Sequence, residues 1–303
     1  MIRSIEISNF RGIRQGRLDD LAPLTILVGA NGSGKSTILD ALLLGAGRMS
    51  HYLLRQAAFR RRGLREDSAR WLLRGGGHGN GHARIVTSTE NGERLVTLES
   101  VPDQPLPEIT YEPRQELLGG DGICLIDASA SSMEDLPKRY TQAKEQGRKQ
   151  TAMQLVEQLL PELKDIEILA PGKQPVLYFD FGNRAIPMPL AGDGIVMLVS
   201  LAFELASLGG GVALLEEPEV HQHPRAIRQS ARAIWTAVNR DIQVILTTHS
   251  LELIDALLAE GGEENLGRLA VYRTSLKDGT LGTVRIPGEE AAFARAKIED
   301  DLR

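Results

Sequence analysis

Hydrophobic and polar residues alternate where the chain opens. Ile5 and Ile7 sit between Ser4, Glu6 and Ser8, the period of a half-buried strand. Asn9-Phe10-Arg11-Gly12 turns that strand, and a second is expected near 16–18. The pattern then changes to unbroken apolar runs. Leu24-Thr25-Ile26-Leu27-Val28, Val212-Ala213-Leu214-Leu215 and Ile242-Gln243-Val244-Ile245-Leu246 predict strands covered on both faces, as in a parallel sheet. Residues 84–89 and 94–99 read as a hairpin turned through Asn91-Gly92, and 109–112 and 123–127 as further strands. Apolar residues at helical spacing predict two helices in 133–160, an apolar helix over 195–208, one closing at 234–238, and one over 251–259. Residues 166–169, 176–181 and 184–188 return to strand character; a hairpin at Asp278-Gly279 and a terminal helix near 291–302 close the chain.

The first apolar run ends in Gly29-Ala30-Asn31-Gly32-Ser33-Gly34-Lys35-Ser36-Thr37, which fits G-x-x-x-x-G-K-[S/T] at every fixed position. An apolar helical pattern (Ile38-Leu39-Asp40-Ala41-Leu42-Leu43-Leu44) follows it, so strand, glycine-rich loop and helix stand in the order the motif requires. Glycines let the backbone curl until successive N–H groups face phosphate oxygens, and the helix N-terminus adds to that field. Lys35 is expected to reach the β- and γ-phosphates, and the Ser36 hydroxyl to ligand Mg2+.

Composition sharpens this only locally. At 303 residues, 42% hydrophobic and 25% charged, the chain has the make-up of a folded protein with a substantial core. A net charge of −5 excludes a basic nucleic-acid binder in bulk, and 4% aromatic residues argue against a surface of stacked rings. The charge is segregated, however. Arg55, Arg60, Arg61, Arg62, Arg65, Arg70 and Arg74 face only Glu66 and Asp67. This segment is either a phosphate-backbone contact or a solvated helical face whose Leu53, Leu54, Trp71, Leu72 and Leu73 pack inward. Gly75 to Gly81 reads as a flexible loop, and His78 and His82 fit no standard zinc spacing. Cys124, the one cysteine, is expected to be buried and excludes a disulfide. With no signal-peptide core and no apolar stretch long enough for a bilayer, a cytoplasmic location without membrane insertion is expected.

Three further motifs follow the glycine-rich loop in order: Gly192-Asp193-Gly194 before a helix, Glu216-Glu217-Pro218-Glu219 after one buried strand, and Thr247-Thr248-His249-Ser250 after another. Each falls at a strand end or helix start, where a parallel α/β sheet presents its ligand crevice. Adjacent carboxylates at a strand end point to different sides, so one can face a metal and the other a water. Together with the opening Asn-Phe-Arg-Gly and with His223-Pro224, the series resembles the ABC-type ATPases of the SMC/RecF/OLD group over nearly the whole chain, most closely the small AAA-named ATPases of the OLD-like branch.

That resemblance implies an α/β P-loop NTPase fold, ABC-ATPase-like, with a mixed sheet core, an antiparallel β lobe and a small helical lobe. Residues 1–303 would form a single ATPase domain, with 50–165 an inserted Arg-rich, β-hairpin and helical subregion. The cofactors implied are ATP and Mg2+. Gly29, Asn31, Gly32, Ser33, Gly34, Lys35, Ser36 and Thr37 would bind nucleotide, and Ser36 and Glu216 would hold the metal. Glu216 stands where relatives more often have aspartate. Glu217 would orient and deprotonate the attacking water, His249 would sense the γ-phosphate, and Lys35 completes the catalytic set. Gly192-Asp193-Gly194 matches the signature loop that completes the opposite protomer's site, though the serine usual there is Ala191. The glutamine loop has no clear match, since Gln56 and Gln104 both fit poorly.

The function implied is Mg2+-dependent ATP binding and hydrolysis that drives closure of a homodimer, in DNA repair or anti-phage defence. DNA would be contacted through 55–74. Residues 250–303 are too few for a Toprim nuclease domain, so nuclease or other effector chemistry is expected from a partner. Two alternatives are an ATP-binding subunit of a transporter and a non-hydrolysing nucleotide-gated scaffold. The Asn-Phe-Arg-Gly opening, Ala191 and the arginine segment count against the first, and Glu217 against the second.

Overall fold

The computed structural model describes all residues except 49–50, 60–65, 78–80, 102–103, 105, 121, 128–129, 171, 173 and 299–300. The chain opens with an antiparallel pair, β1 (Ile2–Phe10) and β2 (Ile13–Leu18), before β3 (Leu24–Val28) leads through the glycine-rich loop into α1 (Lys35–Ala46). Helix α2 (His51–Phe59) and a 3-10 turn (Glu66–Leu72) precede β4 (His82–Thr89), β5 (Gly92–Glu99), β6 (Glu108–Glu112) and β7 (Ile123–Ile126). Helices α3 (Ala130–Glu145) and α4 (Lys149–Glu157) lead to β8 (Asp165–Leu169), β9 (Val176–Asp180) and β10 (Ala185–Pro187). The second half alternates: α5 (Asp193–Ser207), β11 (Val212–Glu216), α6 (Pro224–Val238), β12 (Gln243–Thr247), α7 (Leu251–Asn265), the hairpin β13 (Leu269–Lys277) and β14 (Thr280–Pro287), and α8 (Gly288–Phe293).

Eleven strands make one mixed sheet in the order β6-β5-β4-β1-β2-β14-β13-β3-β12-β11-β7. From β13 to β7 every pairing is parallel, so those strands end at one edge. Register puts Val28 beside Arg273, Leu27 beside Thr247, Thr247 beside Glu216, and Ile126 beside Leu215. Alternate residues of these strands feed opposite layers. Leu27, Leu214 and Ile245 join the core built with α1; Ile26, Val28, Leu215 and Leu246 join the core built with α6 and α7. Both faces are therefore dry, which is why the sequence shows runs rather than alternation. Helix α1 is buried nearly all round, as its uniform apolarity requires. A separate antiparallel sheet, β10-β9-β8, packs with α3, α4 and one side of α5 around Phe179 and Phe203.

Several expectations need correction. Trp71 is 53% exposed, whereas Leu54, Leu72 and Leu73 are buried; a 3-10 turn has a different face from a continuous α-helix and turns the ring outward. Cys124 is only partly buried, because β7 is the last strand of the sheet. The terminal helix begins earlier, at Gly288, and widens into a π-turn over Ala294–Ile298, while Leu302 lies outside any helix yet is buried. Helix α7 runs six residues further than the pattern indicates, broken by Gly262 at φ 65°. Arg60, Arg61, Arg62, Arg65, His78, Pro102 and Pro105 lie outside the described residues, and His82 opens β4. Among the described residues no helix is long and apolar enough to cross a membrane.

Candidate nucleotide site

The glycine-rich loop leaves β3 through Gly29 at φ 142°, and a Cβ there would lie 2.4 Å from the Thr274 carbonyl oxygen, so the close approach of β13 demands glycine. Gly34, at φ 96°, starts α1. The Ser33 hydroxyl is 2.8 Å from the Thr274 hydroxyl, which donates to the Val28 carbonyl at 2.9 Å. Its oxygen is thus spent on fixing the loop, and its backbone N–H donates to the Ala30 carbonyl at 3.1 Å, so Ser33 braces the curl from within. Asn31 and Gly32 are exposed, and Ser36 and Thr37 are half-buried at the first turn of α1.

Lys35 is buried, and its ammonium donates to the carbonyls of Gly29 (2.8 Å) and Ala30 (3.2 Å). Burial pushes its pKa down, and the carboxylates of Glu217 and Glu216 pull it back up. A desolvated ammonium folded onto loop carbonyls, beside a helix N-terminus, is a donor set that suits phosphate. Glu216 shares parity with Leu214, so it leaves β11 on the α1 face; its carboxylate and the Ser36 hydroxyl are oxygen donors of the kind that could hold Mg2+.

Glu217 stands just past the strand at φ 46°, a left-handed conformation that costs a non-glycine residue about 1–3 kcal/mol. It is held there by its own N–H, which donates to the Thr247 carbonyl (3.1 Å) and hydroxyl (3.2 Å) on β12. That kink brings its Oε1 to 3.5 Å from Nε2 of His249, with both side chains about one-third exposed. Burial pushes the His249 pKa down; Lys35 and Arg303 act in the same sense, and Glu217 opposes them. The imidazole is therefore neutral near pH 7. Lys35, Glu216, Glu217 and His249 are one electrostatically coupled group at the carboxyl edge of the sheet.

Two residues at this edge escape sequence reasoning. Glu219 accepts from the Thr248 hydroxyl (2.5 Å) and the His249 N–H (3.3 Å); burial pushes its pKa up, against those bonds. The only hint in the sequence is its place in Glu-Glu-Pro-Glu. Asp127 directly follows β7, and the register of β7 on β11 sets it level with Glu216. An apolar run ending in an acid was the available signal. Gln56 lies in α2 and Gln104 in the connection after β5.

The structure does not gather Gly192-Asp193-Gly194 with these groups. The three line a separate pocket of about 470 Å3 with Leu159, His221, His223 and Arg225, whose lining excludes Lys35, Glu217 and His249. A Cβ on Gly194 would meet the His221 carbonyl at 2.7 Å, whereas one on Gly192 would meet nothing within 4 Å. Arg11, in the opening turn, reaches α1 instead: its guanidinium lies 3.0 Å from the fully buried carboxylate of Asp40.

The sequence matches the family model described as AAA domain over residues 4–169 and the one described as AAA ATPase domain over residues 108–254. It is 36% identical over 84 residues to an uncharacterized protein of Methanocaldococcus jannaschii, a stretch covering 27% of this chain and 74% of that one. Two DNA replication and repair proteins RecF match at 30% identity: that of Heliobacterium modesticaldum over 31% of this chain and 24% of its own length, and that of Edwardsiella ictaluri over 40% and 34%. The chain thus aligns with a quarter to a third of the RecF proteins. Among solved structures, an SMC head bound to the C-winged helix domain of ScpA superposes with TM-score 0.62 at 17% identity, covering 96% of this chain and 98% of that one. The SMC head with an extended coiled coil from Pyrococcus furiosus gives 0.58 at 14%, covering 99% of each. At these identities the likeness speaks to fold.

Proposed function

The chain belongs to the AAA domain family as a P-loop ATPase of the SMC/RecF type, and from that premise we propose that it hydrolyses ATP with Mg2+ at a site shared between two copies of itself. The observation that carries the chemistry is the contact between Glu217 and His249 at 3.5 Å, on the same sheet edge as Lys35. Loop amides from Gly29 to Thr37 and the Lys35 ammonium bind the phosphates. Ser36 and Glu216 hold Mg2+, which would neutralise charge on the β- and γ-phosphates when bound. Glu217 takes the proton of the attacking water, and neutral His249 orients against the terminal phosphate without withdrawing Glu217 into an ion pair.

The position of the signature loop supports sharing. Gly192-Asp193-Gly194 opens α5 in a different pocket from Lys35, so on this reading its amides serve the nucleotide of a facing copy. Exposed Leu190, two residues before the loop, lies on the surface that would meet that copy. Residues 1–303 act as one ATPase domain, with 50–165 carrying the elements that adapt it to its task. That task, on the strength of the RecF relatives and of the exposed Arg55, Arg70 and Arg74, is work on DNA, in repair or anti-phage defence with a nuclease or other effector partner. The test is turnover with and without Mg2+ and duplex DNA, together with mass by light scattering. Turnover that requires Mg2+, rises with DNA and weakens with salt supports the reading. Absence of hydrolysis under all conditions overturns it.

A further inference from the structure

We propose that Glu219 and Arg303 form a two-sided clamp on the turn that carries His249, and that both are positioning residues for it in ATP turnover. The inference rests on the reading of His249 as a γ-phosphate contact. His249 is held by its backbone from opposite sides. Its N–H donates to Oε1 of Glu219 (3.3 Å), and its carbonyl accepts from Nη1 of Arg303 (3.1 Å). The same Glu219 oxygen accepts from the Thr248 hydroxyl, which in turn accepts from the Ser250 N–H at 2.9 Å. The peptide units before and after the histidine are therefore both tied to charged side chains, and the imidazole is left to face Glu217.

Each arm of the clamp is anchored. Glu219 is two residues from Glu217, so one strand end sets the general base and holds the sensing turn. Arg303 is steadied by a fork with Asp301, both bonds 2.8 Å, which leaves Nη1 for His249. Leu302 between them is 1% exposed and packs into the core shared by α6 and α7. Arg273 on β13 donates to the carbonyls of Leu302 (3.2 Å) and Asp301 (3.1 Å). The arrangement is poor as a purely structural anchor. Among the described residues the second oxygen of Glu219 is buried without a hydrogen-bond partner, a cost that an apolar residue would not carry. A catalytic group must be held to a fraction of an ångström, and that is a use for which such a cost is tolerated.

The test measures kcat and KM for ATP, nucleotide affinity, thermal unfolding, and the NMR titration of the His249 imidazole in Glu219→Ala, Glu219→Gln, Arg303→Ala and the double variant. Glu219→Ala and Arg303→Ala are each expected to lower kcat about tenfold or more while nucleotide affinity changes less than about threefold. Glu219→Gln, which keeps the accepting oxygen, recovers most of the rate. The double variant loses little more than either single one, because both act through one turn. The charged groups bearing on the imidazole are Lys35, Glu217 and Arg303, with Glu219 on its backbone, so removing Arg303 moves the His249 titration upward. If Arg303→Ala does not fold, Asp301→Asn must show the same loss, since it releases the fork and leaves Leu302 in place. Wild-type kcat in Glu219→Ala, or in Arg303→Ala or its substitute, overturns the clamp. A wild-type chain that hydrolyses no ATP fails the proposed function instead, and the NMR titration still reads the Arg303 arm.

Discussion

Replacing Glu217 by glutamine is the sharpest perturbation the site allows. Glutamine is nearly isosteric, and the hydrogen bonds that hold this position at φ 46° come from the backbone N–H, which the substitution keeps. What is lost is the base. A positioned general base contributes about 100- to 10,000-fold, so at 1.36 kcal/mol per decade the barrier rises by roughly 3–5.5 kcal/mol. Nucleotide binding stays or tightens, because one of the two carboxylates near Lys35 no longer repels phosphate. The structure adds a second signature. At 3.5 Å, with both groups partly exposed, the attraction of Glu217 for protonated His249 is about 1 kcal/mol at water-like screening. Its removal moves the His249 titration further down. Phosphate release under saturating ATP, equilibrium binding of a labelled nucleotide and imidazole NMR measure the three effects. Turnover within about threefold of wild type would refute the reasoning, because no water can substitute for a general base at so small a loss.

Two further outcomes follow from the same geometry. Burial, Lys35 and Arg303 hold His249 below its ordinary pKa, so kcat is flat near pH 7 and falls on the acid side, where the imidazolium pairs with Glu217 and withdraws it. An acid limb centred above 6.5 in the kcat–pH profile would contradict this sign. Arg11→Ala leaves the fully buried carboxylate of Asp40 short of its cation and costs about 3 kcal/mol in denaturant unfolding, whereas Asp40→Asn, which removes the charge, costs less. An Arg11→Ala loss under about 1 kcal/mol would show that the pair is not a buried one in energetic terms.

The parts of this site legible in the sequence are those encoded locally. Strands β3, β11 and β12 are buried on both faces, so burial writes itself as apolar runs, and the residues that follow each run land at one edge because the pairings are parallel. The hairpin of β4 and β5 is equally local, signalled by Asn91-Gly92. What escaped notice depends on distant pairings. That β1, β2 and β4–β6 continue the same sheet is decided by a narrow junction between β2 and β14, Gln15 beside Thr280, which leaves no periodicity. The place of Asp127 depends on register with β11, and the grip of Arg303 on His249 spans 54 residues. Trp71 faces outward because its segment is a 3-10 turn, where helical spacing misassigns faces.

Whether two copies share each site can be read from a mixture. Lys35→Ala removes the ammonium, and Gly192→Glu places a carboxylate on the signature loop, where a Cβ meets nothing within 4 Å and φ is an ordinary −64°. The account predicts that neither variant hydrolyses ATP alone. Mixed in equal amounts, half of the dimers would pair one of each, and one of their two sites would be intact, so about a quarter of wild-type turnover returns. No recovery in the mixture, with Gly192→Glu active by itself, would place the whole site within one chain and contradict the account.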